Sequence, residues 1–318
     1  MQNPAQPSSL DGIGLSAALL TPIAWGLTGI FVRLLEELPP ATIVAGRLAV
    51  GLLVLLPFLL IRRDLALAAL RTPLPLAMGL YYLLATEAYA RAPVVEVTLI
   101  IGTAPVIAVA LQWVSGRRPS RRQILYVALA LLGLVLYLAP ARTAGGAITG
   151  QVLAFGCALA SALYVIGLRS RAMEGRHLHP LASTAIACLW GLVITLPVLT
   201  TSTPDWPSHD ALTLIAVLGL VSTVLPTLSY GLAAVRLSPL VTTAVGLLTP
   251  LFAGLAAGLV LDEWPRLASI PGAILTLAAL LLLIRAGSRD RTIAHSSRSS
   301  VRKTSCTQRF LSLRRHWK

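Results

Sequence analysis

The sequence predicts an all-α membrane protein: ten transmembrane helices arranged as two inverted five-helix repeats, with N- and C-termini cytoplasmic. Three observations predict it. Hydrophobic residues make up 56% of the chain and charged residues 12%, against about 25% charge in a soluble domain. Ten apolar segments follow one another, each near or above the roughly 17 residues needed to cross a bilayer. Finally, the stretches Arg91–Pro119 and Arg236–Pro265 share one plan, as if one unit occurred twice.

Taken in order, residues 1–12 form a polar tail whose first eleven positions lack Lys and Arg. They do not have the basic start of a secretory signal, so the first apolar segment is expected to stay as a span. The segments fall at 13–35, 41–61, 73–91, 94–115, 123–140, 149–168, 180–200, 211–235, 238–261 and 267–284. With the N-terminus inside, Lys and Arg divide 21 inside to 4 outside, which favours ten spans under the positive-inside rule. The formal charge of +14 is concentrated in 285–318, which holds ten Lys/Arg and one acid. This is a basic cytoplasmic tail resting on anionic lipid, not a nucleic-acid-binding face.

The repeat follows from register. A shift of 145 lays Arg91 on Arg236, Thr98 on Thr243 and Pro105 on Pro250, and a shift of 136 lays Arg33 on Arg169. Five spans is an odd number, so the second copy would enter the membrane upside down. The loop after the fourth helix changes from GRRPSRR to LDEWPRL, the sign change that inversion requires. Such repeats around a mid-membrane cavity belong to alternating-access carriers.

These stretches, with LTPIAWGLTGIFVRLL, ATIVAGRLAVGLL, AYARAPVVEVTLIIGTAPVIA and IPGAILTLAALLLL, resemble the drug/metabolite transporter superfamily, specifically its EamA-type ten-helix permeases. The resemblance covers about 13–285 and implies two EamA-like repeats, 13–140 and 149–284. It also implies a multi-pass protein of the inner (cytoplasmic) membrane that exports or takes up a metabolite, such as an amino acid or a drug-like solute, by secondary-active or facilitative transport, with export the expected direction. The family's acid after the fourth helix matches Glu263, while the corresponding position in the first copy is Arg117.

Candidate transport residues come from polar stripes at helical spacing. Thr21, Trp25 and Thr28 share one face of the first helix, and the repeat sends them onto Cys157, Ser161 and Tyr164. Tyr82, Thr86 and Tyr89, and Thr223, Thr227 and Tyr230, stand at the same i, i+4, i+7 spacing. Either these stripes line a cavity for a small amphipathic solute, or they are small polar residues packing helix on helix. The cavity candidates are Trp25, Thr21, Thr28, Tyr82, Tyr89, Ser161, Tyr164, Thr227 and Tyr230.

Charges inside spans cost about 2.5–3.5 kcal/mol and need a reason. Glu87 is the candidate for proton coupling, with pairing to Arg91 one turn on as the alternative. Arg47 reads as a structural charge bonding backbone carbonyls and a carboxylate, with Glu36 and Glu37 within reach. Mid-span prolines at Pro22, Pro105, Pro226 and Pro250 are kinks or hinges.

No cofactor, metal or nucleic acid is expected, and the partners are a small-molecule substrate and the lipid bilayer. The five histidines fall in loops or the tail, and neither HExxH, GxSxG nor GxxxxGK[ST] occurs. An enzyme is therefore disfavoured, as is ATP drive within this chain. A receptor or scaffold without flux is the competing class, and no feature sets the oligomeric state.

Overall fold

The structure, a computed structural model, describes residues 11–35, 37–92, 97, 100–116, 119–139, 148–199, 207–261, 264 and 266–286. Every regular element among them is helical: α1 (Gly12–Gly26), α2 (Thr28–Leu34), α3 (Pro40–Ile61), α4 (Arg63–Leu70), α5 (Leu74–Arg91), α6 (Ala104–Val114) and α7 (Arg121–Leu138). These are followed by α8 (Ile148–Met173), α9 (Pro180–Leu199), α10 (His209–Gly219), α11 (Leu225–Arg236), α12 (Pro239–Val245), α13 (Thr249–Leu261) and α14 over 270–286. The five-residue π-helical segment Leu220–Val224 joins α10 to α11.

The starts of several helices are encoded locally. Ser120 and Gln123 form a capping box on α7, and Ser208 and Ser238 accept N–H groups at the starts of α10 and α12. Prolines open α3, α9 and α12, where a missing N–H costs nothing. Gly116 and Gly175, both at φ +74°, turn the chain after α6 and α8.

The ten-helix expectation is corrected here. Among the described residues seven helices are long and apolar enough to span a membrane, or eight if the bent pair α4–α5 counts as one. Five of the seven, from Ile148–Met173 to Leu267–Ala286, lie in the second part of the chain. Only Gly12–Val32 and Pro40–Ile61 lie in the first part. Two matching inverted quintets are therefore not what the fold presents. The placement of both termini in the cytoplasm combined the Lys/Arg tally with ten spans, and without that count it is not carried further.

The described residues show where the expected spans are interrupted. In the fourth expected segment Val97, Ile100 and Ile101 are helical, and after a turn the helix resumes over Ala104–Val114, 11 residues or about 16 Å. Pro105 stands at the restart of that helix, just after the turn at Gly102 and Thr103 that interrupts it. In α7, Arg121, Arg122 and Gln123 fill the first turn, leaving about 22 Å of apolar helix for a layer of about 30 Å. The third segment meets α4 at 72°, after the Arg71–Pro73 turn. Of the four prolines read as mid-span, Pro22, Pro226 and Pro250 lie within the spans Gly12–Val32, His209–Arg236 and Pro239–Val260, the last two just after a change of helix type, and Pro105 follows a turn. The N-terminal tail through residue 10 and the tail from 287 lie outside the described residues.

Two glycine contacts bring helices to backbone distance. A Cβ on Gly79 would lie 2.7 Å from Ala187 O and Gly191 N, which seats α5 on α9. A Cβ on Gly272 would lie 2.2 Å from Tyr137 N and 2.6 Å from Gly133 O, which seats α14 on α7. Between the elements of the first contact and their neighbours sits a core of Val44, Leu48, Met78, Tyr82, Tyr164, Val165, Cys188 and Tyr230. Leu53, Val114 and Leu259 face outward, as contact with lipid permits.

Candidate functional site

The core just described is ringed by aromatic side chains from four helices. Trp25, at the end of α1, stacks on Tyr81 of α5 at 5.6 Å between centroids and 29° between planes. Its ring also lies 5.1 Å from that of Tyr230 on α11. Tyr230 in turn stacks on Tyr164 of α8 at 6.2 Å and 13°. Tyr82 stands edge-on to Tyr81. Polar groups hold these rings in place. Ser161 Oγ and the Tyr230 hydroxyl are 2.7 Å apart, and the Tyr164 hydroxyl is 3.2 Å from Ser183 Oγ of α9. The Tyr82 hydroxyl meets both Thr227 Oγ1 and the Thr223 carbonyl.

Arg47, 3% exposed, is the charge of this cluster. Its Nε donates to Thr223 Oγ1 and its Nη2 to the Ser222 carbonyl, each at 2.7 Å. The guanidinium carbon lies 4.8 Å over the Tyr82 ring. Ser222 O stands four residues before Pro226, which has no N–H to give it. The π-helical segment widens the same turn, so that the Leu225 N–H reaches back to Leu220 O. Arg47 therefore supplies the donor that the helix withholds. The expected carboxylate partner is not among these contacts: Glu37 is exposed, and Glu36 lies outside the described residues. Ser222 Oγ completes the junction by donating to Ala24 O of α1 at 3.0 Å.

The structure thus gathers Trp25, Tyr82, Ser161, Tyr164, Thr227, Tyr230 and Arg47. It places the other candidates elsewhere. Thr21 is buried and donates to Ala17 O of its own helix. Thr28 opens α2 beyond the break at Leu27, and Tyr89 packs against the Ala88–Val97 cluster. Glu87 makes a close ion pair with Arg91, the alternative that sequence spacing offers. Tyr81, Ser183 and Ser222 join the site without having been predicted. Tyr81 is one residue off the Tyr82 stripe, and nothing local marks Ser183. The Ser-Thr pair just before Pro226 was the available signal for Ser222, since hydroxyls and free carbonyls collect at such breaks.

At one end of the bundle, Asp11 accepts the Gly14 N–H at 3.0 Å and pairs with Arg236 at 3.3 Å. Burial alone would raise its carboxyl pKa. The Gly14 N–H and the Arg236 guanidinium outweigh burial and hold it below the ordinary carboxylate value. Among the described residues, no group of three or more His, Cys, Asp or Glu is placed to hold a metal ion.

The EamA-like transporter family matches residues 12–139 and again 148–285, most of the chain. The chain belongs to the EamA-like transporter family. Membership in a transporter family also fits the absence of catalytic motifs from the sequence. No curated protein matches this EamA-like chain. Among 29 solved chains that match, one superposes with a TM-score of 0.70 at 20% identity. That match covers 86% of this EamA-like chain and 96% of the other, whose description reads only "Crystal structure of protein". At that identity it is a likeness of fold alone.

Proposed function

We propose that this chain carries a small amphipathic solute, of the size of an amino acid or a drug-like metabolite, across the cytoplasmic (inner) membrane. The observation that carries the reading is the meeting of Trp25, Tyr82, Ser161, Tyr164, Thr227 and Tyr230 from four helices of a transporter-family bundle. Aromatic faces beside hydroxyls suit a solute with one apolar and one polar side. Alternating access would bend the bundle at the π-helical segment beside Pro226, where the helix ladder is already interrupted. No ATP-binding loop occurs in the sequence, which disfavours ATP drive within this chain and leaves gradient-coupled or facilitative transport. Glu87 is the coupling candidate, and coupling would require its pair with Arg91 to open.

Flux in proteoliposomes tests this, across amino acids, nucleobases and cationic drugs, with and without a pH gradient. The expected result is saturable uptake of one class, lost in Trp25→Ala and reduced in Tyr164→Phe. Wild-type rates in both variants would remove the aromatic cluster from the path. Gradient-driven uptake that survives in Glu87→Gln would remove Glu87 from coupling.

A further inference from the structure

The rings at the centre of the bundle differ in what they still offer a ligand. Tyr82, Tyr164 and Tyr230 are 2%, 0% and 3% exposed, and their hydroxyls are engaged by Thr227, Ser183 and Ser161. Trp25 and Tyr81 are only half-buried and keep part of their surface open. Trp25 Nε1 is itself buried and donates to no acceptor. The Tyr82 hydroxyl is the acceptor nearest the indole N–H, but it lies outside hydrogen-bonding geometry with it and is anchored on Thr227 and the Thr223 carbonyl. A buried indole N–H ordinarily has a partner, so an unmet donor beside two open rings marks where an acceptor belongs.

Charge narrows the choice further. The guanidinium of Arg47 stays ionised and lies against the Tyr82 ring. Among the described residues of this cluster there is no carboxylate, and Glu87, farther along α5, is paired with Arg91. A cation stacked on Trp25 and Tyr81 would meet a like charge across low-dielectric surroundings, which outweighs what the ring faces offer it.

We infer, on the premise of the transport reading, that this site takes a planar aromatic solute of zero or negative net charge bearing a hydrogen-bond acceptor for Trp25 Nε1, and that it rejects planar organic cations. The test is equilibrium dialysis of the full chain in nanodiscs, with empty nanodiscs as reference. The probes are 2-naphthoate (planar, anionic, an acceptor) and 1-methylquinolinium (planar, cationic, no acceptor). Naphthoate is expected to bind at least about tenfold more tightly. Trp25→Phe, which keeps a ring and removes the N–H, is expected to weaken naphthoate about five- to tenfold and leave methylquinolinium unchanged. The inference is overturned if methylquinolinium binds as tightly as naphthoate, if neither probe binds, or if Trp25→Phe leaves naphthoate unaffected. Selective naphthoate binding without flux of any solute would sink the transport reading and leave the site assignment standing. Saturable flux of a cation without naphthoate binding would do the reverse.

Discussion

Replacing Arg47 with Met keeps the apolar stem of the side chain and removes the donor that the helix break lacks. Two charge-assisted hydrogen bonds, at about 1.5–3 kcal/mol each, and a desolvated cation–π contact of about 2 kcal/mol are lost. Against this, the cost of burying a guanidinium, about 2.5–3.5 kcal/mol, disappears. The balance is a destabilisation of about 2–5 kcal/mol. Cys188, 1% exposed in the same core, is the reporter, in a chain whose other cysteines, Cys157 and Cys306, are replaced by Ala. Its thiol labelling should quicken by about 30-fold or more in Arg47→Met. Pro226→Ala sharpens the test, because an alanine there can return a backbone N–H to the turn that exposes Ser222 O. In that background the cost of Arg47→Met should fall by about 1–3 kcal/mol. A cost below about 1 kcal/mol, or an equal cost in both backgrounds, would refute the role assigned to this arginine.

Gly272→Ala sets a methyl group 2.2 Å from Tyr137 N, and a thermal melt in detergent should show a loss of about 1–3 kcal/mol or more. Gly246→Ala, with nothing within 4 Å of its new methyl group, should stay within about 0.5 kcal/mol of wild type or gain slightly. Asp11→Asn should cost about 0.5–2 kcal/mol through the weakened cap and the lost Arg236 pair. The Asp11 carboxyl pKa lies below its ordinary 3.8. Its contribution is therefore complete above that value and lost as pH falls through the lowered pKa. Melts between about pH 2 and 6 should show wild type losing more stability than Asp11→Asn on acidification, and parallel curves would contradict the assignment.

Helical spacing made several faces of the site legible, because residues at i, i+4 and i+7 must share a side wherever the helix goes. Trp25, Ser161 with Tyr164, and Thr227 with Tyr230 were found that way. Spacing says nothing about which faces meet. Ser183 and Tyr164 join through a contact between α8 and α9, and Arg47 finds Thr223 176 residues away. The charge of Arg47 was legible as one needing a structural reason, but its partners belong to a helix defect. The span count failed for a related reason. Hydropathy measures how much apolar chain there is, whereas Pro105 and the arginines opening α7 decide where a helix begins and how much of it lipid can cover.

The contact between Gly133 and Gly272 leaves α7 and α14 no play. Helices that touch through main-chain atoms cannot roll past one another the way side-chain-padded pairs can, because there is no soft layer to shear. Those two segments must travel as one strut. Any relative motion of the helices is therefore left to joints elsewhere, among them the π-helical segment before Pro226.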